Sequence, residues 1–265
     1  MDNKEVQKVE GLENIMEEIK NILGEFVEEQ NVLNIDYAVI CNCAIKLLDF
    51  IFGEDEYELP IDINHIYRKM KIPLLEMDLN RYMDGYLPKR VNRIIGKISI
   101  RKDFISGKMK RSVYIDENTP PILQRYAMAH ELCHYILKMD DRMFTDEYCN
   151  MPMLPKDPAE LVADAFAIFL LIPIKPFMDE FLEYVNYEKK SGRPPFRTSE
   201  WIEHLSAVCY VAEDYVAYGY ELIRYIASWL YGVKDIEVCP SDNVKVLWEK
   251  RKKYLNQEII DSLFS

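Results

Sequence analysis

The chain has 265 residues, 49% of them hydrophobic and 12% aromatic, which is enough apolar material for a substantial core. Its net charge of −12 and sequence pI near 5.0 exclude a general electrostatic nucleic-acid binder. No run of ~18 or more apolar residues occurs, which excludes a membrane-spanning helix.

The acidity is concentrated in residues 1–60, where fifteen Asp/Glu face four Lys/Arg. Over residues 5–52 the pattern is helical, with Leu12, Ile15, Met16, Ile19, Ile22 and Leu23 at three- and four-residue spacing. A second helix is expected over about residues 35–52, stopping before the acidic turn GEDEYELP, whose charges read as a solvated loop. A short helix over about residues 62–70 and a strand over residues 72–77 follow. In RIIGKISIRK, Ile98 and Ile100 alternate with Lys97, Ser99 and Arg101, and RSVYID repeats that mode before a turn, so two or three antiparallel strands are expected.

The segment YAMAHELCHYIL (residues 126–137) then reads as a buried or half-buried helix, and PAELVADAFAIFLL as another that ends at Ile172-Pro173, because proline cannot continue it. SGRPPFRTS, residues 191–199, is the best candidate linker. Residues 201–230 and about 243–264 read as helical. The six cysteines (Cys41, Cys43, Cys133, Cys149, Cys209, Cys239) form no dense disulfide framework, and the opening MDNKEVQKVEGLENI lacks the apolar stretch of a secretion signal. These features lead to the expectation of a cytoplasmic protein.

Three polar residues stand inside the apolar YAMAHELCHYIL helix. His130 and His134, i and i+4, lie about 40° apart on one helical face, with Glu131 beside them. Two imidazoles so placed reach one Zn2+, and the adjacent glutamate sits where it takes a proton from an attacking water: the HExxH arrangement. A catalytic zinc needs a third protein ligand and an open position. Glu160 and Asp164, also i and i+4, supply a carboxylate to bind the metal and a second one to accept the far N–H of a ligating histidine. Glu160 has a competing reading as the N3 position of a capping box begun by Asp157 and Pro158. The histidine pair upstream and Asp164 one turn on favour ligation, and capping by Asp157 coexists with it.

Taken together, QRYAMAHELCHYIL and ELVADAFAIFLLIP resemble the paired motifs of the ImmA/IrrE family of zinc metallopeptidases, with Glu160, Ala163, Asp164, Phe166, Ala167, Leu170, Leu171 and Pro173 at the matching places. The resemblance covers roughly residues 36–178. It implies an α+β fold, mostly helical, with a small antiparallel sheet packed on the HExxH helix in a minimal gluzincin-like core and helical extensions at both ends. The expected organisation is an acidic N-terminal helix (1–35), a metallopeptidase core (36–190) and a helical C-terminal region (191–265). The family usually has glycine where Cys133 stands; Cys133 points sideways from the two histidines and is expected to pack rather than bind metal. Many relatives carry a helix-turn-helix in front of the peptidase, and the acidic first 35 residues show no basic recognition helix.

The resulting expectation is a zinc-dependent endopeptidase in which His130, His134 and Glu160 hold Zn2+, Glu131 is the general base, and Asp164 orients His130 or His134. The resemblance implies a regulatory protease acting on a protein substrate such as a DNA-binding repressor; the acidic charge and the lack of a long apolar run lead to the expectation of no direct nucleic-acid or membrane partner. Extended substrate is expected to pair with a strand near residues 111–116 or 96–101. The rival reading is a non-catalytic binding module that keeps the fold and sequesters a partner; intact Glu131 argues against it. His204, His65 and the basic run KRKK (residues 250–253) read as ordinary helix and surface residues. The apolar faces of residues 200–265 are expected to dock on the core and shape its substrate groove, rather than form a free DNA-binding tail.

Overall fold

Helix α1 (Asn3–Glu28) and helix α2 (Tyr37–Phe52) form the first pair in the computed structural model, which describes residues 3–28, 35–54, 56–83, 94–102, 109–139, 143–145, 157–191 and 198–231. The expected helix at 243–264, the run at 250–253, Cys149, Cys239 and the middle of the expected linker lie outside those residues. Asp36 starts α2 by accepting hydrogen bonds from the N–H groups of Ala38 (2.9 Å) and Val39 (3.3 Å). Ile19 and Leu23 of α1 are fully buried in the same core as α2. Helix α3 (Ile63–Lys69) is capped by Asp62, which accepts from the His65 N–H at 2.9 Å.

Strand β1 (Leu74–Met77), the short helix α4 (Leu79–Met83), β2 (Ile94–Lys102) and β3 (Met109–Asp116) follow, and β4 (Met143–Thr145) completes a sheet of order β1-β3-β2-β4. The α+β expectation holds, but the sheet is mixed rather than antiparallel throughout. β2 pairs antiparallel with β3 and with β4, whereas β1 runs parallel to β3, with Leu74 opposite Val113. The chain passes through α4 and β2 between β1 and β3, and this crossover lets the two strands point the same way.

Helix α5 (Pro121–Ile136) packs against β2 and β3. Its start is set by the fully buried Asp116, whose carboxylate accepts from the Leu79 N–H (3.1 Å) and the Thr119 hydroxyl (2.9 Å), while Gln124 donates to the Asp116 carbonyl (3.0 Å). The Tyr67 hydroxyl donates to the Met128 carbonyl at 2.8 Å and ties α3 to the middle of α5. The end of α5 is a Schellman turn: Lys138 takes the left-handed conformation (φ 57) and the Met139 N–H reaches back to the His134 carbonyl at 3.0 Å.

Helix α6 (Pro158–Leu171) is buried on nearly every side, from Ala159 to Leu171, and packs against α1, α2 and α5. A helix apolar all round belongs in a core, so the two carboxylates it carries, Glu160 and Asp164, demand an explanation. After a 52° bend at Pro173 the chain continues as α7 (Ile174–Ser191). The region read as helical over residues 201–230 consists of two helices, α8 (Thr198–Cys209) and α9 (Glu213–Tyr231), separated by a second Schellman turn in which Tyr210 (φ 53) replaces glycine and the Val211 N–H bonds the Ser206 carbonyl at 3.2 Å.

The described part of the C-terminal region docks on the rest of the protein. Trp201, Leu205, Cys209, Val211, Tyr215, Val216, Tyr220 and Ile223 belong to the main hydrophobic cluster. Arg125 of α5 also donates to the carbonyls of Ile61 (2.9 Å), Tyr210 (3.2 Å) and Cys209 (3.4 Å), stapling the α8–α9 turn to the core. Cys41, Cys43, Cys133 and Cys209 are buried thiols, with no disulfide among the described residues. Among the described residues no single helix is long and apolar enough to cross a membrane.

Candidate metal centre

Two buried helices meet at the site. On α5, His130, Glu131 and His134 are 1%, 0% and 1% exposed; on α6, Glu160 and Asp164 are 7% and 2% exposed. Alanines are fully buried on both helices, Ala127 and Ala129 on α5 and Ala159 and Ala163 on α6, and Ala127 lies against Gly96 of β2. Asp157 caps α6 by accepting from the Ala159 N–H at 2.9 Å, and Pro158 follows at the first helical position, as the capping reading expected. The Glu160 carboxylate lies toward the imidazoles: Oε2 is 3.2 Å from His130 Nε2, and Oε1 is 3.4 Å from His134 Nε2.

The two Nε2 atoms lie 3.0 Å apart. Ligand atoms of His130, His134 and Glu160 all fall within 4.8 Å of one another. Metal–ligand bonds of about 2.0–2.1 Å at tetrahedral angles place neighbouring ligand atoms about 3.3 Å apart. The two Nε2 atoms at 3.0 Å, and the nearest Glu160 oxygen to each of them (Oε2 at 3.2 Å from His130, Oε1 at 3.4 Å from His134), lie close to that length. Two imidazoles and one carboxylate are also a donor set that zinc accepts, so these residues fit the ion.

Behind the cluster, His130 Nδ1 lies 2.9 Å from Asp164 Oδ1. An ionised carboxylate only accepts, so Nδ1 carries a proton, and Nε2 is the nitrogen that would give up its own proton and turn a lone pair to an ion held between Glu160 and His134. The open choice between His130 and His134 as the partner of Asp164 therefore falls on His130. The same Oδ1 accepts the Tyr126 hydroxyl at 3.1 Å. Burial by itself would depress His130, but its hydrogen bonds to Asp164 and Glu160 and their charges more than offset it and raise the imidazole to about 10. Burial would raise Glu160, and the bonds and charges of His130 and His134 instead hold it far below the usual carboxylate range. The cluster thus favours positive charge at its centre.

Glu131 extends toward the sheet, over a glycine. A Cβ built on Gly96 of β2 would come within 3.0 Å of Glu131 Cγ and 3.1 Å of its Oε1, so glycine at this strand position makes room for the carboxylate. Cys133 is fully buried, and burial, before the nearby Cys43, pushes its thiol well above the ordinary range, consistent with packing rather than ligation. His204 lies elsewhere, 3.2 Å from Glu180 and stacked on Trp201, and His65 stacks on Phe52.

Sequence reasoning did not single out Tyr126, Tyr215 or Gly96. Tyr126 was accessible in principle, because it stands one helical turn before His130 on the same face. A glycine inside the strand GKISI likewise signals close approach of another group. Tyr215 was legible only as part of an apolar face expected to dock on the core; its link to the site was not, since its stacking on Tyr126 (centroids 3.5 Å apart, planes at 12°) joins residues far apart in sequence.

Asp164→Asn removes the negative charge that orients His130 while keeping the side chain's size. Metal affinity is expected to fall ~10–100-fold, the usual effect of losing such a partner, and competition with a chromophoric chelator measures it. No change in affinity would show that Asp164 does not act on the ligand.

Residues 72–211, more than half of the chain, match the family model Peptidase_M78, described as the IrrE N-terminal-like domain. The chain belongs to this family and carries its metallopeptidase fold. No curated protein shows significant similarity to it.

Proposed function

We propose that this member of the IrrE N-terminal-like family is a zinc-dependent metalloendopeptidase that cleaves a specific protein, with a DNA-binding repressor as the expected class of substrate. The observation that carries the reading is the convergence of His130, His134 and Glu160 at spacings suited to one tetrahedral ion, with Glu131 on the adjoining position of α5.

When bound, zinc supplies Lewis acidity that polarises the scissile carbonyl and lowers the pKa of the attacking water. His130 and His134 present Nε2 and Glu160 a carboxylate oxygen to hold the ion. Asp164 keeps the proton of His130 on Nδ1. Glu131 takes the proton of the attacking water as its oxygen adds to the carbonyl carbon, then gives that proton to the amine nitrogen as the C–N bond breaks. Gly96 leaves the space in which Glu131 does this.

An extended substrate pairs with β2. Over residues 113–116, β3 already carries β1 on one side, and β2 covers residues 109–115 on the other, so the alternative site at residues 111–116 is largely taken. On β2, strand β4 covers Ile94, Gly96 and Lys97, and among the described residues no strand lies beyond it on that edge over residues 98–102. That edge begins beside the Glu131 contact at Gly96. The near-complete burial of His130, Glu131 and His134 favours a selective protease over a digestive one, as does the net charge of −12 for a protein substrate over nucleic acid.

The test is cleavage of a proteome-derived peptide and protein library, together with purified repressors, by zinc-loaded protein, read as new termini by mass spectrometry. A restricted set of cleavages, lost with a chelator and restored by zinc, is the expected result. Zinc-loaded protein that captures a partner and generates no new termini would replace this reading with the binding-module one.

A further inference from the structure

The hydrogen bond behind His130 does not end at Asp164. Oδ1 of Asp164 receives two donors, His130 Nδ1 at 2.9 Å and the Tyr126 hydroxyl at 3.1 Å. Tyr126 is 1% exposed and Asp164 2%, so water does not substitute freely for either donor. Two donors on one oxygen occupy both of its lone pairs. They fix the rotation of the carboxylate, and with it the direction in which the His130 ring is held.

The ring of Tyr126 is held in turn by α9, where Tyr215 (3% exposed) stacks on it at 3.5 Å with planes 12° apart. Rings this close and nearly parallel lie face to face, and the contact restricts the rotation of the Tyr126 ring. α9 is anchored independently: Val216, Tyr220 and Ile223 are buried in the core, and Arg125 clamps the turn before it.

We propose that Tyr126 is a positioning residue for the metal ligand His130, and that Tyr215 extends this support to the C-terminal helices, so that α9 is part of the metal centre without touching it. The chain Tyr215, Tyr126, Asp164, His130 crosses from α9 to α5, to α6 and back to α5. It acts as a unit because each member restricts the next. The inference rests on the metal-site reading above, and it adds that zinc affinity depends on a hydroxyl and a ring that the ion never contacts.

The test uses the full chain and measures zinc affinity by chelator competition, with the visible ligand-field bands of the cobalt(II)-loaded protein as a second readout. Tyr126→Phe deletes only the hydroxyl. It is expected to weaken zinc binding by about 3–10-fold, at or below the lower end of what loss of a ligand's direct partner costs, and to shift the cobalt bands, which a purely structural role would leave in place. Tyr215→Leu is expected to weaken binding in the same direction, and Tyr215→Phe, which keeps the ring, to recover most of that loss. In the double variant Tyr126→Phe/Tyr215→Leu the two effects should fall short of multiplying, because the second residue acts through the first.

Zinc affinity in Tyr126→Phe within twofold of the unmodified chain, with unmoved cobalt bands, would overturn the proposal while leaving the metal site standing. Effects that multiply in the double variant would overturn the coupling to α9. An unmodified chain that binds neither zinc nor cobalt would remove the metal-site reading and this inference together.

Discussion

His134→Ala and Glu160→Ala are each expected to empty the metal centre. Each variant deletes one of three protein ligands and leaves two, too few for a tetrahedral site that keeps one position open. Among the described residues, their neighbours supply no replacement. His204 and His65 are engaged elsewhere, and the Cys133 thiol is buried with its pKa raised. Asp164 faces the opposite nitrogen of His130. The expected loss of affinity therefore exceeds the ~100-fold that removal of an outer hydrogen-bond partner can reach. Elemental analysis after dialysis against a weak chelator should find about one zinc per unmodified chain, as the one such donor set among the described residues implies, and close to none in either variant. Glu160→Ala and Asp164→Asn should also be distinguishable, the first losing metal outright and the second only affinity. Full occupancy retained in Glu160→Ala would return that residue to a capping role and leave the third ligand unassigned.

How far the sequence revealed these features depended on whether the information was local. The α5 and α6 helices were legible because helical periodicity, a proline stop and two i, i+4 polar pairs all lie within short windows. Geometry absent from the sequence then decided which carboxylate serves which histidine. Asp164 meets Nδ1 of His130, and Glu160 spans both Nε2 atoms, because α6 crosses α5 in one particular way.

The parallel pairing of β1 with β3 was not legible, since a strand's alternation fixes its faces but not the direction of its neighbour. β4 has three residues and no pattern to read. Helix α7 was missed because Pro173 was read only as a stop, whereas a new helix begins at the next residue, with the Phe177 N–H bonding the Pro173 carbonyl at 3.0 Å. The break between α8 and α9 carries no glycine; Tyr210 takes the left-handed conformation instead, so an apparently continuous helical pattern concealed a turn.

Glu131→Gln carries the largest expected effect on catalysis. The substitution keeps the shape of the side chain, and with it the fit over Gly96, but an amide has no basic oxygen to accept the water's proton at neutral pH. General-base catalysis contributes ~10²–10⁴-fold, so hydrolysis should fall by about that factor or to background. Metal content should be unchanged, because Glu131 is not among the residues placed to hold an ion. A protein that bound its partner without cutting it would not register the change. The most direct measurement is therefore a side-by-side cleavage assay of the unmodified chain and Glu131→Gln, each first shown to hold the same amount of zinc. Cleavage by the first and none by the second is the predicted result; equal cleavage by both, or none by either at full zinc occupancy, would contradict a Glu131-dependent peptidase.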